Sequence, residues 1–318
     1  MNQSNNDILA YVWGSYREYA MTSRKIKATI KKIRVWVIVL TILGAISGTA
    51  SMQLADGVQE SLCQILGFLS AISIGVAAYL GKEIISPERE KKWVIARSAA
   101  EALKSEAYLY ATSTTPYNTP EADDTFLDRA KNIRENSENV RLVNISAEEK
   151  KKRLIQKPLS FDKYLEKRVK EQIEDYYKPA AHDNNILQKK WNLGKHTFGI
   201  IGIALGAIGG FGYSGLTAGW VAVIGTITTA ITAYLFAERY NYLSLSYQKT
   251  AQILEDHLAQ WMISDKTDQD KAELIIACES TISMENRAWM VELSKKSKSI
   301  IPDSLKNKSM ADESGIDE

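Results

Sequence analysis

The sequence predicts an all-helical membrane protein: two transmembrane helical hairpins, four membrane-crossing helices in all, with cytoplasmic amphipathic helices forming a helical bundle. Three features point there: where charge is missing, where Lys and Arg gather, and a repeat between the two halves. The 318 residues carry 40 basic and 38 acidic side chains, for a net charge of +2, yet residues 35–55, 61–81 and 196–237 carry none at all. A soluble domain spreads charge over roughly a quarter of its positions. A single-core soluble enzyme does not fit this distribution. The balanced net charge also argues against nucleic acid as a partner held by charge alone.

The first two runs, 35–55 and 61–81, each match the about 20 apolar residues that cross a bilayer. Asp56–Glu60 joins them and has room only for a tight turn. Because 34 residues precede the first run and a second follows at once, a cleaved signal peptide is disfavoured. The third run has 42 residues, twice either of the others. It breaks at Gly209-Gly210-Phe211-Gly212-Tyr213-Ser214-Gly215, giving crossings at about 196–213 and 216–237. The plainer alternative for each run is a buried core helix, and the Gly-rich third run comes closest to it.

Basic residues set the orientation. Arg17, Arg24, Lys25, Lys27, Lys31, Lys32 and Arg34 precede the first crossing, and Lys82, Arg89, Lys91, Lys92 and Arg97 follow the second. The turn between them holds only Asp56 and Glu60. Lys178, Lys189, Lys190 and Lys195 precede the second hairpin, and Arg239 and Lys249 follow it. Both termini and the central segment are therefore expected in the cytoplasm.

Outside the membrane the pattern is helical over 98–110, 238–264 and 271–293, and the fourth crossing is expected to run into the cytoplasm as one long rod. Thr112–Pro120 is a Ser/Thr/Pro-rich breaker, and residues 150–170 hold nine basic side chains against two acidic ones. That stretch reads as a solvated helix in preference to a lipid-headgroup patch. Cys63 and Cys278 fall on opposite sides of the membrane in this topology and cannot pair.

The hairpins repeat each other. Leu43-Gly44-Ala45-Ile46-Ser47-Gly48 recurs as Leu205-Gly206-Ala207-Ile208-Gly209-Gly210, and Ala78-Tyr79-Leu80 recurs as Ala233-Tyr234-Leu235. Short matches between apolar helices also arise by chance, but shared order and topology favour a parallel duplication. The expected organisation is a first hairpin domain at 1–110, a linker at 111–159, a second hairpin domain at 160–295 and a disordered tail at 296–318.

Gly44 and Gly48, and Gly202, Gly206 and Gly210, recur every four residues, which puts each set on one helix face where a second helix can come close. The partner helix belongs either to the same hairpin or to another subunit. Thr41, Ser47 and Ser51 in the first crossing, and Thr226, Thr229 and Thr232 in the fourth, are candidate pore-lining hydroxyls. The alternative, and the stronger one, is that they bond back to their own helix backbone. No Asp, Glu, Lys or Arg lies inside a crossing, which weighs against a proton relay, a voltage sensor or an ion-coupled pump. Gly210-x-Gly212-x-x-Gly215 lacks the strand of a dinucleotide fingerprint, and Gly210-Phe211-Gly212 lacks the lead-in of a potassium filter. His182, His196 and His257 have no ligand spacing. Catalytic, cofactor-binding and metal residues are therefore expected to be none, and the chain is not expected to be an enzyme.

Further residues lie mostly outside the membrane: Trp93, Arg97, Ala100-Glu101, Leu103-Lys104, Glu106 and Tyr108 to Tyr110, then Tyr164-Leu165, Arg168, Gln172, Tyr176-Tyr177 and Ala181. Near the end Cys278-Glu279, Glu285-Asn286 and Trp289 complete the pattern. Set around two hairpins in this order, they make the chain resemble the SLATT family, the two-transmembrane effectors associated with SMODS and SLOG domains, in two tandem copies covering about 8–110 and 160–292. The resemblance implies a multi-pass protein of the bacterial inner membrane in a defence or conflict system. It also implies a homo-oligomer that permeabilises the bilayer when a nucleotide-signal-producing or nucleotide-sensing partner triggers it. A non-conducting membrane anchor or scaffold whose cytoplasmic helices recruit a partner is the alternative, and a transporter or enzyme is remote.

Overall fold

The protein is described by a computed structural model over residues 2–54 and 60–299, and every regular element among these residues is a helix. In chain order they are α1 (Asn2–Leu54), α2 (Glu60–Tyr79), α3 (Pro87–Ala111), α4 (Ala122–Glu135), α5 (Ala147–Lys151), α6 (Phe161–Tyr164), α7 (Lys178–Ile208), α8 (Ser214–Glu238), α9 (Tyr240–Ile263) and α10 (Asp268–Ser299). Wider π turns follow α2 at Leu80–Ile84, join α6 to α7 at Leu165–Lys170 and Gln172–Tyr177, and close α7 at Gly209–Tyr213. Four helical segments are long and apolar enough to cross a membrane: Asn5–Leu54, Glu60–Glu83, Phe161–Tyr213 and Gly215–Ile263.

Local chemistry sets the element ends. Pro87 opens α3, where a missing N–H costs nothing. Ser146 caps α5 by accepting from the Glu149 N–H at 3.2 Å. At α10 the cap is reciprocal: the Asp270 N–H donates to Thr267 Oγ1 at 3.1 Å, and the Thr267 N–H donates to Asp270 Oδ2 at 2.9 Å. Between α7 and α8 the chain reverses at Phe211 and Gly212, where Gly212 has φ +103°, a conformation that only glycine adopts without strain.

Two compact units interleave in the sequence. One comprises Met1–Arg24, Glu90–Tyr164 and His257–Glu318, and the other Lys25–Arg89 and Leu165–Asp256. The first has its core on α3, where Ala96, Ala100, Leu103 and Ala107 recur at helical spacing and are buried. Trp13 of α1, 2% exposed, meets Tyr16 and Tyr108 edge-on at 4.9 and 6.1 Å between centroids. Tyr110 stacks on Phe126 of α4 at 4.2 Å. Tyr164 donates its hydroxyl to Glu279 Oε1 at 3.1 Å, so residues from the two ends of the second SLATT-like copy meet in this core.

Residues 140–160 differ from the solvated helix expected over 150–170. Helix ends at Lys151, and 152–160 lies irregular along α1, held at successive points. The Val143 N–H donates to Thr22 Oγ1 at 2.9 Å, Lys150 pairs with Glu18 at 2.6 Å, and Arg17 pairs with Glu149. The Trp13 indole donates to the Lys152 carbonyl at 3.2 Å, and the Asn6 amide bonds both the N–H and the carbonyl of Lys157. Periodicity could not reveal this, because the partners are mostly backbone groups more than 100 residues away. The Lys157 ammonium sits 3.5 Å from the Tyr110 ring centroid, which also removes it from solvent.

Two further expectations change. The fourth crossing does not run on as an unbroken rod: Arg239 takes a left-handed conformation at φ 52° and separates α8 from α9. Residues 296–299, read from the sequence as tail, complete α10. The remainder of the expected disordered tail, 300–318, and the outer turn of the first hairpin, 55–59, lie outside the described residues.

The first unit carries a pH signature. Burial, and the Asp123 and Glu106 carboxylates that accept their hydroxyls, push the Tyr110 and Tyr117 phenols well above their usual value of 10.0. A phenol raised in the folded state contributes stability that is complete below pH 10 and lost as pH rises through the raised value. Burial pulls Lys157 down from 10.5 and acts in the opposite sense on that side chain. Thermal melting of the full chain in detergent between about pH 8 and about pH 11 should show a falling midpoint above about pH 10. Tyr117→Phe should flatten the fall, and an equal slope in the variant would refute this assignment.

Candidate functional site: the paired membrane hairpins

The second unit contains both hairpins. Within the first, α1 and α2 approach closely at Gly44. A Cβ there would stand 2.6 Å from Ile74 Cγ1 and 3.3 Å from the Ser70 carbonyl oxygen. One turn on, a Cβ at Gly48 would stand 2.8 Å from Ser70 Oγ, and that hydroxyl donates to the Gly44 carbonyl at 2.7 Å. Ser51 donates to the Cys63 carbonyl at 2.7 Å. Missing side chains let the backbones close, and the hydroxyls then bridge them.

The second hairpin does not copy this geometry. A Cβ at Gly202 would stand 3.1 Å from Ile224 Cγ2, whereas a Cβ at Gly206 or Gly210, the sequence equivalents of Gly44 and Gly48, would meet no neighbouring helix or side chain within 4 Å. Trp191 of α7 lies 4.7 Å from Tyr234 of α8 between ring centroids.

The hairpins meet through α1 and α8. Val223, Ile227 and Ile231 are buried on one stripe of α8, against Ile42 and Ala45 of α1 and Trp191 and Phe198 of α7. A Cβ at Gly219 would meet Thr49 Cγ2 at 2.8 Å. Polar clamps close both ends of this apolar contact. At one end Arg34 bonds Glu238 at 2.7 Å, with the two side chains only 13% and 9% exposed. At the other, Gln53 donates to the Leu216 carbonyl at 2.6 Å and accepts from the Trp220 indole at 2.9 Å. Sequence reasoning counted Arg34 only as a flanking charge and missed Gln53. The available signal was their position: Arg34 and Glu238 each border a charge-free run.

The candidate hydroxyls are not brought together. Thr41 donates to the Val37 carbonyl at 2.8 Å and Ser47 to the Leu43 carbonyl at 2.7 Å, so both are satisfied within α1. Thr226 and Thr232 likewise donate to Ala222 and Thr228 of their own helix. Thr229 and Thr232 are exposed, away from the buried stripe of α8. Large apolar side chains also point outward, among them Phe68 of α2 at 69% exposure and Ile203 of α7 at 75%. Among the described residues no group of three or more His, Cys, Asp or Glu is placed to hold a metal, and both cysteines are free.

Register locates one charge that the sequence runs left at their edge. Ala181 pairs with Ser244, Trp191 with Tyr234 and Gly202 with Ile224, which puts Lys195 level with Ile231. The pairs Arg34 with Glu238 and Thr49 with Gly219 then place Ile231 near Leu40 of α1. Lys195 thus lies six residues beyond the level of Arg34, or about 9 Å at 1.5 Å per residue. The sequence run begins at His196 and so counted it as outside.

Four helices long and apolar enough to cross a bilayer, paired as two hairpins, define a multi-pass helical membrane protein. Residues 164–289 match the model of the SMODS and SLOG-associating 2TM effector domain 1, so the second hairpin and the helices around it are similar to the SLATT family. Residues 17–125 match a different model, a protein of unknown function (DUF4231), so the two hairpins carry distinct family signatures. No curated protein and no solved structure matches the chain. A SLATT domain marks a two-transmembrane effector of conflict systems.

Proposed function

We propose that the protein is an inner-membrane effector of a bacterial defence system, with both termini in the cytoplasm, whose copies assemble into a membrane-permeabilising pore when a partner delivers a signal. The observation that carries this reading is the contrast between a closed interior and open outer faces. The α1–α8 contact is apolar and clamped at both ends, so a single chain offers no polar path through it. Conduction then requires surfaces between copies, where Gly206 and Gly210 are open to close approach and Thr226, Thr229 and Thr232 supply hydroxyls. A nucleotide-signal-producing or nucleotide-sensing protein is the partner that the family relationship suggests.

The test is membrane potential and dye entry in cells expressing the chain under tight control, with and without the product of the neighbouring gene. Wild type should depolarise the cells. Gly206→Leu should insert and fold normally, because a Cβ there would meet no neighbouring helix or side chain within 4 Å, yet lose the depolarisation. The same closed interior also favours a second reading, a non-conducting anchor that recruits a partner through its cytoplasmic helices. Intact potential at high expression with the partner present would reject the pore and leave the anchor.

A further inference from the structure

The joint between α8 and α9 sets local preference against packing. Arg239, the single residue between the two helices, takes φ 52° and ψ 37°. Ser113, Arg153 and Lys266 also have positive φ, but each lies in a turn of several residues. Helical bonding reaches Arg239 from both sides: its N–H donates to the Leu235 carbonyl at 3.0 Å, and its carbonyl accepts from the Leu243 N–H at 3.0 Å. Phe236 to Tyr242 contains no Gly or Pro, so the local sequence favours an unbroken helix. A left-handed residue other than glycine is disfavoured about tenfold.

Packing explains the break. The buried residues Val223, Ile227 and Ile231 of α8 have counterparts twenty positions on in α9, the buried Leu243, Tyr247 and Ala251. Twenty residues make about five and a half turns, so an unbroken helix would put the two stripes on opposite sides. The left-handed residue brings both to the side of α7 and the π turn before it. The α8 stripe packs on Trp191 and Phe198. In α9, Ser244 donates to the Ala181 carbonyl at 2.8 Å, and the Tyr247 ring lies 5.7 and 6.0 Å from those of Tyr176 and Tyr177. At the joint itself Arg34 pairs with Glu238, and the Tyr234 and Tyr240 hydroxyls share a hydrogen bond at 3.0 Å. Residues six apart in an unbroken helix point about 120° apart, so this bond belongs to the broken form.

We propose that Arg239 is the joint of a conformational switch between the crossing α8 and the helix α9. In one state α9 packs its stripe on α7, as observed. In the other Arg239 turns helical, α9 continues straight from α8, and the stripe rotates by about half a turn away from α7. The Tyr234–Tyr240 bond and the Arg34–Glu238 pair hold the first state, so α1 has a part in setting the position of α9. An element whose local preference opposes its packing supports two arrangements of one sequence. The switch operates whether or not the protein conducts, so it stands apart from the pore reading.

The experiment places a thiol on the hidden stripe by Ala251→Cys in the purified full chain in detergent. Its labelling by a water-soluble maleimide is followed by peptide mass mapping, which separates it from Cys63 and Cys278. The rate should be set by the population of the rotated state. Tyr234→Phe, which takes one hydrogen bond from the packed state, should raise it about fivefold. Arg239→Gly should lower it about tenfold, because glycine takes positive φ freely and disfavours a helix interior. Hydrogen exchange of the amides over 244–256 should match wild type in both variants, because rotation leaves α9 bonded to itself. Unchanged labelling in either variant would overturn the proposal and make the joint a fixed bend. Amide exchange that changes in step with labelling would also overturn it, because Ala251 would then be exposed by unfolding of α9.

Discussion

Arg34→Ala should lower the stability of the hairpin pair by about 3–5 kcal/mol, the range for removing one partner of a buried ion pair. The Glu238 carboxylate, 9% exposed in the intact pair, would lose its guanidinium at the edge of an apolar contact. The loss of the weaker bond from Arg34 to the Ala237 carbonyl, at 3.5 Å, adds little. The double variant Arg34→Met, Glu238→Leu should recover most of the loss, because well-packed apolar pairs of similar volume replace buried ion pairs at little cost. The unfolding midpoint in mixed micelles of increasing denaturing detergent would measure both. A loss under about 0.5 kcal/mol for the single variant, the level of an ordinary surface change, would show that the pair is solvated and does not clamp the helices.

Gly44→Leu should separate α1 from α2. A Cβ alone would enter Ile74 Cγ1 at 2.6 Å with the Ser70 carbonyl oxygen at 3.3 Å, and leucine adds three more carbons. Ile74 is β-branched and stiff, and the carbonyl belongs to a helix backbone, so neither yields easily. The close approach also carries the Ser70 hydroxyl bond to the Gly44 carbonyl, which would be lost with it. Overpacking of this kind costs about 1–3 kcal/mol, and loss of the interhelical bond adds roughly 0.6 kcal/mol. Gly206→Leu, its equivalent by sequence, should change the stability of the isolated chain by less than about 0.5 kcal/mol. Equal effects at the two positions in the same unfolding assay would mean that the hairpins pack alike and that the difference at Gly206 is unreal.

The contrast between these glycines marks where the sequence stops being informative. Four crossings and the Gly209–Gly215 break were legible because a bilayer demands about 20 apolar residues per helix and a reversal demands glycine. The breaker at 112–120 followed from Pro and Ser/Thr chemistry in the same way, whereas α3 begins at Pro87, eleven residues ahead of the helix expected over 98–110. These are local requirements, met by residues adjacent in the chain.

The SLATT relationship was legible for a related reason. Tyr164, Cys278, Glu279 and their neighbours form a pattern with fixed order, and the family model covers 164–289. Their hydrogen bond across 115 positions was invisible until the chain was folded. The candidate hydroxyls show the same limit: Thr41 and Ser51 share a helix and a spacing, yet one bonds its own helix and the other bonds α2.

The sequence by itself determined that this chain crosses a membrane four times, in hairpins with basic flanks, because hydrophobic length and charge placement act residue by residue. Only the tertiary structure decided which helices touch, that Arg34 meets Glu238 and Gln53 meets Trp220, that Gly44 is enclosed while Gly206 is open, and how deep Lys195 stands. Each of those depends on the register between helices far apart in the chain, and register is set by the packing of whole surfaces, which no single stretch of sequence contains.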